Sequence, residues 1–185
     1  MVAGVTDKGI MPKDAVDMLS RCHRRLEERT TELCQTADEL AEASVDDAWA
    51  RVDELLAFVT RTLGRHIADE EQSVFGRLPA EHRSLADRLT SEHREHEALL
   101  AGATRAARER DAEALARDSR GLAQALAEHA RHEDDVLIPA IEAHLAGQLD
   151  HIAEEMQARR DGGRDSGGRG GGGGRGGGGG GGGGG

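Results

Sequence analysis

Apolar side chains recur at every third or fourth position along four long segments of the chain, the spacing of one buried face of an α-helix. Pro79 should close the second segment, and Pro139 should end or kink the fourth and leave a shorter fifth helix. The predicted helices cover residues 13–43, 46–78, 80–110, 112–138 and 140–159. Because the connections are short, neighbouring helices should be antiparallel. The pattern predicts an all-α fold, an up-down antiparallel four-helix bundle with a short fifth C-terminal helix.

The composition supports helices and separates a tail from the folded domain. The 185 residues include 3 prolines, 2 phenylalanines, 1 tryptophan and no tyrosine, so the core must be built from Leu, Val, Ile and Ala. From residue 161 onward the chain is nearly all glycine with scattered arginines. Such a segment cannot bury enough apolar surface to offset its ordering entropy. We therefore predict one folded domain over residues 14–157 and a disordered Gly/Arg tail over residues 161–185.

Net charge and cysteine content limit which binding partners and which cellular compartment we expect. The formal net charge is −11, and the tail carries three arginines against two aspartates, so nucleic acid is not an expected partner of the bundle. No apolar stretch approaches a membrane span and no secretory segment is visible, which predicts no membrane attachment and a cytoplasmic location. Cys22 and Cys34 lie about 18 Å apart along one predicted helix, too far for a disulfide. Free thiols fit a reducing compartment.

Histidines and glutamates interrupt the apolar faces of all four long helices. Residues four apart share one helix face, so each of two His-x-x-x-Glu pairs should point an imidazole and a carboxylate at the core. One histidine of the first helix and two of the third reach the same level. The candidate ligands are His23, His66, Glu70, His93, His96, His129 and Glu133. Because a buried carboxylate is costly unless it is paired or coordinated, and no lysine or arginine faces inward among them, the pattern favours a metal site.

Simpler explanations exist for each residue taken alone. A single histidine on an apolar face is commonly a hydrogen-bonded core residue, and a lone His-x-x-x-Glu is commonly a surface pair. Their recurrence at one level of four helices favours a metal. Mixed imidazole and carboxylate donors without thiolates suit iron, manganese or zinc, and their number exceeds what one tetrahedral zinc ion needs. The Glu-x-x-His of ferritin-type bundles and the His-Glu-x-x-His of metalloproteases are both absent.

Over residues 14–157 the sequence resembles the hemerythrin-like (HHE cation-binding) domains. That family has a histidine, then His-x-x-x-Glu, then a histidine, then a second His-x-x-x-Glu on successive helices. The resemblance extends to the stretch from His129 to Pro139, to Cys22-His23-Arg24-Arg25-Leu26 and to Glu92-His93. It implies a non-haem di-iron centre with two iron ions, in which Glu70 and Glu133 bridge. The implied ligands are His23, His66, Glu70, His93, His129 and Glu133.

Two ligand assignments stay open at this point. The oxygen-carrying hemerythrins have His-x-x-x-His on the third helix, whereas His93 and His96 are three residues apart. We favour His93 as the primary ligand because it shares the Glu-His context of the family. Those proteins also have His-x-x-x-x-Asp on the fourth helix, and Asp134 stands five residues after His129, so Glu133 and Asp134 both qualify.

The resemblance implies a protein that binds oxygen, nitric oxide or peroxide at its metal centre, in sensing, iron handling or stress response. The enzymatic alternative is redox chemistry at that centre, such as peroxide decomposition or repair of iron–sulfur clusters. A third alternative is a structural bundle without metal. Outside the pattern, we expect His82, His144 and His151 at solvated positions or at helix ends, His132 beside the centre or on the surface, and Cys22 in the core.

Overall fold

The computed structural model describes residues 13–42 and 46–165, with side chains described over 13–40 and 47–161. This part of the chain is helical apart from short turns, and it contains no strand. The α-helices are α1 (Ala15–Glu42), α2 (Asp46–Ser73), α3 (Arg83–Glu109), α4 (Ala112–His132), α5 (Ile138–Leu145) and α6 (Leu149–Asp165). The predicted all-α fold is confirmed.

The four long helices form the bundle, in which each packs against two neighbours. Helix α1 contacts α2 and α4, and α3 contacts the same two helices. The turn between α3 and α4 shows how the sequence reverses the chain. Arg110 ends α3 in the left-handed conformation, with φ of 57°, and the Asp111 carboxylate caps α4 by accepting a hydrogen bond from the Ala114 N–H at 2.9 Å. Tight reversals of this kind make successive helices antiparallel.

Two apolar clusters fill the interior, and the candidate ligands lie between them. On α3, Leu89 belongs to one cluster and Leu100 to the other, with His93 and His96 between the two. The other bundle helices repeat this order, so a polar layer crosses the bundle between two apolar cores. Burying one such leucine contributes about 1.5–3 kcal/mol to stability, which lets the fold tolerate a costly layer in its middle.

The segment around Pro79 differs from the prediction. Helix α2 ends at Ser73 rather than at residue 78, and the chain continues in a 3₁₀ turn over Phe75–Arg77. Leu78 is extended, with φ of −68° and ψ of 145°, as expected for a residue whose α conformation would clash with the following proline ring. A second 3₁₀ turn over Ala80–His82 leads into α3, which therefore begins three residues later than predicted.

A π-helical turn replaces the predicted end of the fourth helix. It spans Glu133–Leu137, and the Ile138 N–H donates to the Glu133 carbonyl five residues back. Such turns widen the helix and are frequent at functional sites. Because the turn is wider, Leu137 becomes fully buried, while Val136, which stands three residues after the buried Glu133, is 42% exposed. Pro139 sits in the first turn of α5, where its missing N–H costs little, and so it does not end the helix.

The C-terminal region forms two helices instead of the predicted single one over 140–159. Helix α5 ends at Leu145, and after a 3₁₀ turn α6 runs to Asp165. Helix α6 packs on α1 and α2, and it continues past residue 161, where we placed the start of the tail. The rest of the predicted tail, residues 166–185, lies outside the described residues.

Two arginines hold α6 against α2 through a buried carboxylate that the sequence did not single out. Asp69 is only 1% exposed. One of its oxygens accepts a hydrogen bond from Arg159 at 3.1 Å, and the other accepts from Arg160 at 2.6 Å. Arg159 also donates to the Ser73 hydroxyl at 2.6 Å. Since Asp69 directly precedes Glu70, this pairing also supports the helix segment that carries a candidate ligand.

Replacing Arg159 and Arg160 together by alanine should lower the free energy of unfolding by about 3 kcal/mol, because it leaves the Asp69 carboxylate buried without a cation. Urea denaturation of the metal-free protein checks this. Adding Asp69→Asn to the double variant should restore part of the loss, since the unpaired charge is then gone. An unchanged denaturation midpoint in the double variant would contradict the role given to this pair.

Candidate metal centre

The polar layer holds histidines and glutamates from all four bundle helices. His23 comes from α1, the pair His66 and Glu70 from α2, two histidines from α3, His129 from α4 and Glu133 from the start of the π turn. Glu70, His93 and Glu133 are 0% exposed, and the His23 side chain, at 9%, is the most open of the set. All seven predicted candidates therefore reach the interior at one level of the bundle.

Glu133 lies at the meeting point of three histidines. Its Oε2 is 2.9 Å from Nε2 of His23 on one side. Its Oε1 is 2.5 Å from Nε2 of His129 and 3.9 Å from Nε2 of His66 on the other. The two oxygens of one carboxylate thus face different imidazoles, which is the arrangement of a carboxylate placed to contact two ions.

Glu70 faces the remaining part of the layer. Its Oε2 is 3.1 Å from Nε2 of His93 and 3.7 Å from Nε2 of His66. The Nε2 atoms of His66 and His129 approach to 3.4 Å. One ligand atom from each of five buried residues falls within 4.8 Å of every other, namely His66, Glu70, His93, His129 and Glu133. Such convergence of donor atoms is what a bound cation requires.

Hydrogen bonding leaves these atoms unsatisfied. Both oxygens of Glu70 and of Glu133, Nε2 of His93 and both ring nitrogens of His23 are buried without a partner in hydrogen-bond geometry. Among the described residues, neither glutamate forms an ion pair with a lysine or an arginine, and their ion-pair contacts are all with histidines. Buried groups of this kind are costly when left unpaired. A metal ion in their midst would satisfy them, so the donor set fits a metal.

Two carboxylates outside this set fix the orientation of its imidazoles. Glu71 accepts a hydrogen bond from Nδ1 of His93 at 3.0 Å, and Glu92 accepts one from Nδ1 of His129 at 2.8 Å. With Nδ1 held in this way, each ring turns Nε2 toward the layer, as in the carboxylate–histidine–metal arrangement of many metal sites. Arg94 in turn donates to Glu71 at 3.0 Å. Sequence reasoning missed Glu71 and Glu92, whose only signal was that each adjoins a candidate ligand in the chain.

The two ligand assignments left open by the sequence separate clearly in space. His93 belongs to the convergent group, whereas His96 lies outside it, with its ring centroid 4.8 Å from that of His129. Asp134 is 61% exposed and no closer than 4.0 Å to Nδ1 of His23, while Glu133 is buried at the centre. The geometry favours His93 over His96 and Glu133 over Asp134.

A family model describes the same helices. The model of the hemerythrin HHE cation-binding domain matches residues 14–141, which is more than half of the chain. The chain belongs to this family. Comparisons with curated proteins and with solved structures gave no match. Family membership and the buried histidine–glutamate group together identify a metal-binding helical bundle.

A cavity gives this hemerythrin-like domain an open side at the centre. Its volume is about 380 Å³, and it lies between α1 and α4. Three candidate ligands, His23, His66 and His129, line it, whereas Glu70 and His93 do not. A small molecule entering here meets the His23 and Glu133 side of the layer.

None of the described helices is long and apolar enough to cross a membrane.

The cysteines and the remaining histidines lie outside the donor set. Burial raises the pKa of the Cys22 thiol to about 12, so this side chain is a protonated core residue rather than a thiolate ligand. Cys22 and Cys34 are both free, as predicted. His132 lies beside the layer, its Nδ1 3.6 Å from Glu92. His82 and His144 meet at the surface, with ring centroids 5.1 Å apart.

Without metal, the two glutamates of the hemerythrin-like centre hold protons differently. Burial, together with the charge of Glu133, raises the pKa of Glu70 well above its ordinary value. Burial acts in the same direction on Glu133, but the neighbouring His129 and His23 outweigh it and bring its pKa well below the ordinary value. A raised pKa favours the protonated form of Glu70, and that proton competes with a metal ion, so metal affinity should fall as the pH falls.

The metal-free domain should lose stability as the pH drops from about 6.5 to about 4. Burial lowers the pKa values of His66, His93 and His96, the last to about 4. In this pH range the imidazoles of the unfolded chain take up protons, whereas those of the folded chain do not. Acidification therefore stabilises the unfolded state and lowers the free energy of unfolding. The raised pKa values of Glu70 and Asp69 oppose this trend, but the lowered pKa of Glu133 adds to it, so three imidazoles and one carboxylate outnumber two carboxyl groups. Urea midpoints measured after chelation check this, and a midpoint that rises on acidification would contradict it.

Proposed function

We propose that the chain is a non-haem di-iron protein that binds oxygen, nitric oxide or peroxide at its metal centre, in sensing, iron handling or stress response. The observation that carries the proposal is the convergent donor set, in which buried carboxylate oxygens and imidazole nitrogens meet without hydrogen-bond partners. Nitrogen and oxygen donors without a thiolate suit iron, and the family to which the chain belongs binds cations.

The positions of the donor atoms along the layer are explained better by two ions than by one. His23 lies against Glu133 at one end of the layer, and His93 lies against Glu70 at the other. His66 is between them, within 3.9 Å of both carboxylates. Each end thus offers a histidine and a carboxylate to an ion of its own, and the carboxylates are placed to be shared. The proposed ligands are those inferred from the resemblance, with His96 beside them.

The cavity between α1 and α4 supports an external ligand at the His23 end. Bound iron would supply an open coordination position there for a small ligand. The chain contributes the shape of the entrance and the orientation of the donors, through Glu92 for His129 and through Glu71 for His93.

Purification from iron-replete cells, followed by elemental analysis and an optical spectrum, tests the proposal. We expect about two iron ions per chain and an ultraviolet band of an oxo-bridged pair, which azide should perturb. Stoichiometric zinc without iron would contradict it, as would iron that no added ligand perturbs. Rapid catalytic loss of added hydrogen peroxide would instead favour the enzymatic alternative at the same centre.

A further inference from the structure

A second pocket, away from the metal layer, is lined by arginines. It lies between α1, α2 and α6 and has a volume of about 390 Å³. Five of its ten lining residues are arginines and none is acidic: Arg21, Arg25, Arg61, Arg65 and Arg160. The chain as a whole carries a net charge of −11, so a pocket with only positive charge is a local exception. The volume falls in the range of small-molecule sites.

Helix stability does not account for this arrangement. Arg21 and Arg25 are four residues apart on α1, and Arg61 and Arg65 are four apart on α2. Like charges at this spacing destabilise a helix, by a few tenths of a kcal/mol per pair. The two pairs also line one pocket, where each adds to the repulsion felt by the others. A bound anion would reduce the repulsion among these arginines, and this reduction would favour its binding.

The described acidic residues leave most of these guanidinium groups uncompensated. Arg25, Arg61 and Arg65 form no ion pair within the described part of the chain, and Arg21 approaches Asp17 only to 3.6 Å. Arg160 donates from Nη2 to Asp69, but its Nη1 is buried without a hydrogen-bond partner. A buried, unpaired guanidinium nitrogen at the wall of a pocket is a donor that lacks its acceptor.

We propose that this pocket binds a small soluble phosphate-bearing anion, such as a phosphate ester or a diphosphate. Guanidinium groups match phosphate because paired N–H donors can bind two oxygens at once. A phosphate group also carries nearly two negative charges at neutral pH, so a single ligand can neutralise several arginines. The site is separate from the metal donors, but Arg160 connects it to Asp69, the residue before Glu70. The proposal does not depend on which metal the centre holds.

Isothermal titration of the full chain with inorganic pyrophosphate at low ionic strength tests the site. We expect one pyrophosphate per chain and affinity at least about tenfold weaker in the double variant Arg61→Gln/Arg65→Gln, which removes two charged donors. Both side chains are exposed and unpaired among the described residues, so the variant should fold. Arg25→Gln provides a second, independent variant that should also weaken binding.

The matched control is Arg105→Gln/Arg108→Gln on α3, which changes the net charge equally at exposed positions outside the pocket. Its pyrophosphate affinity should stay within about twofold of the parent, because the local donors are retained. Equal weakening in both double variants would overturn the proposal and indicate an effect of overall charge alone. Citrate binding as tightly as pyrophosphate, or binding to phosphatidic acid vesicles without any binding of pyrophosphate, would overturn it as well.

Discussion

Replacing Glu133 by alanine should strip the domain of nearly all its metal. This carboxylate lies within 3.9 Å of Nε2 atoms of His23, His66 and His129, so it is the residue through which most of the donor set meets. Its removal takes away both oxygens of one of the two proposed bridging carboxylates. The loss should exceed the factor of about 10–100 in metal affinity that outlying partners of metal ligands typically contribute. The test is to measure the number of metal ions per chain after gel filtration in metal-free buffer.

Two comparisons make that result specific. Glu70→Ala should also lose most of the metal, because Glu70 is the carboxylate that faces His93 and His66. His151→Ala should retain it, since His151 is exposed and pairs with Glu155 on the surface of α6. Metal retained at parent level in Glu133→Ala would show that the donor set is wrongly assigned, whatever the other variants do.

The level of the site in the bundle could be predicted from the sequence because it depends on helix periodicity alone. His66 and Glu70, and likewise His129 and Glu133, stand four apart within apolar stripes, and this fixes which way they face before any tertiary structure is known. Sequence could not separate Glu133 from Asp134, because neighbouring residues of a helix differ in direction by about 100° and the register of the turn decides between them.

Features that depend on contacts between helices or on local backbone geometry could not be predicted from the sequence. The π turn at Glu133 is one, and its wider geometry buries Leu137 and leaves Val136 exposed. The orienting carboxylates are another, because Glu92 on α3 reaches the histidine of α4. The pairing of Asp69 with α6 is a third. Each joins residues 22 or more positions apart in sequence or depends on backbone geometry that the residue pattern does not encode.

The arrangement of the layer also bears on how metal and fold depend on each other. Apolar clusters on both sides of the layer restrict the access of water to the cavity between α1 and α4, so each buried, unpaired oxygen and nitrogen in the layer is a cost to the metal-free fold. Metal that binds the folded chain in preference to the unfolded one adds its binding free energy to stability. The apolar surroundings also strengthen the attraction between the buried carboxylates and a cation. Stability and metal occupancy should therefore rise together.

The contribution of each histidine on α3 can be separated by single substitutions. His93 is held on both sides: Nδ1 donates to Glu71 at 3.0 Å, and Nε2 lies 3.1 Å from Glu70. Its ring is also stacked on Phe75, with centroids 6.0 Å apart and an interplanar angle of 8°. His96 is buried to a similar degree, but neither of its ring nitrogens belongs to the group of converging donor atoms. His93 therefore has the orientation of a ligand, and His96 that of a neighbour.

We expect His93→Ala to lose about half of the bound iron or more, because one end of the layer then has no histidine to accompany Glu70. His96→Ala should keep nearly all of it and change mainly the rate of oxidation or the affinity for azide, since its ring packs edge-on against that of His129. Iron per chain and the optical spectrum, measured side by side for the two variants, decide between them. Full iron in His93→Ala together with loss in His96→Ala would reverse the assignment and place the oxygen-carrying register on α3.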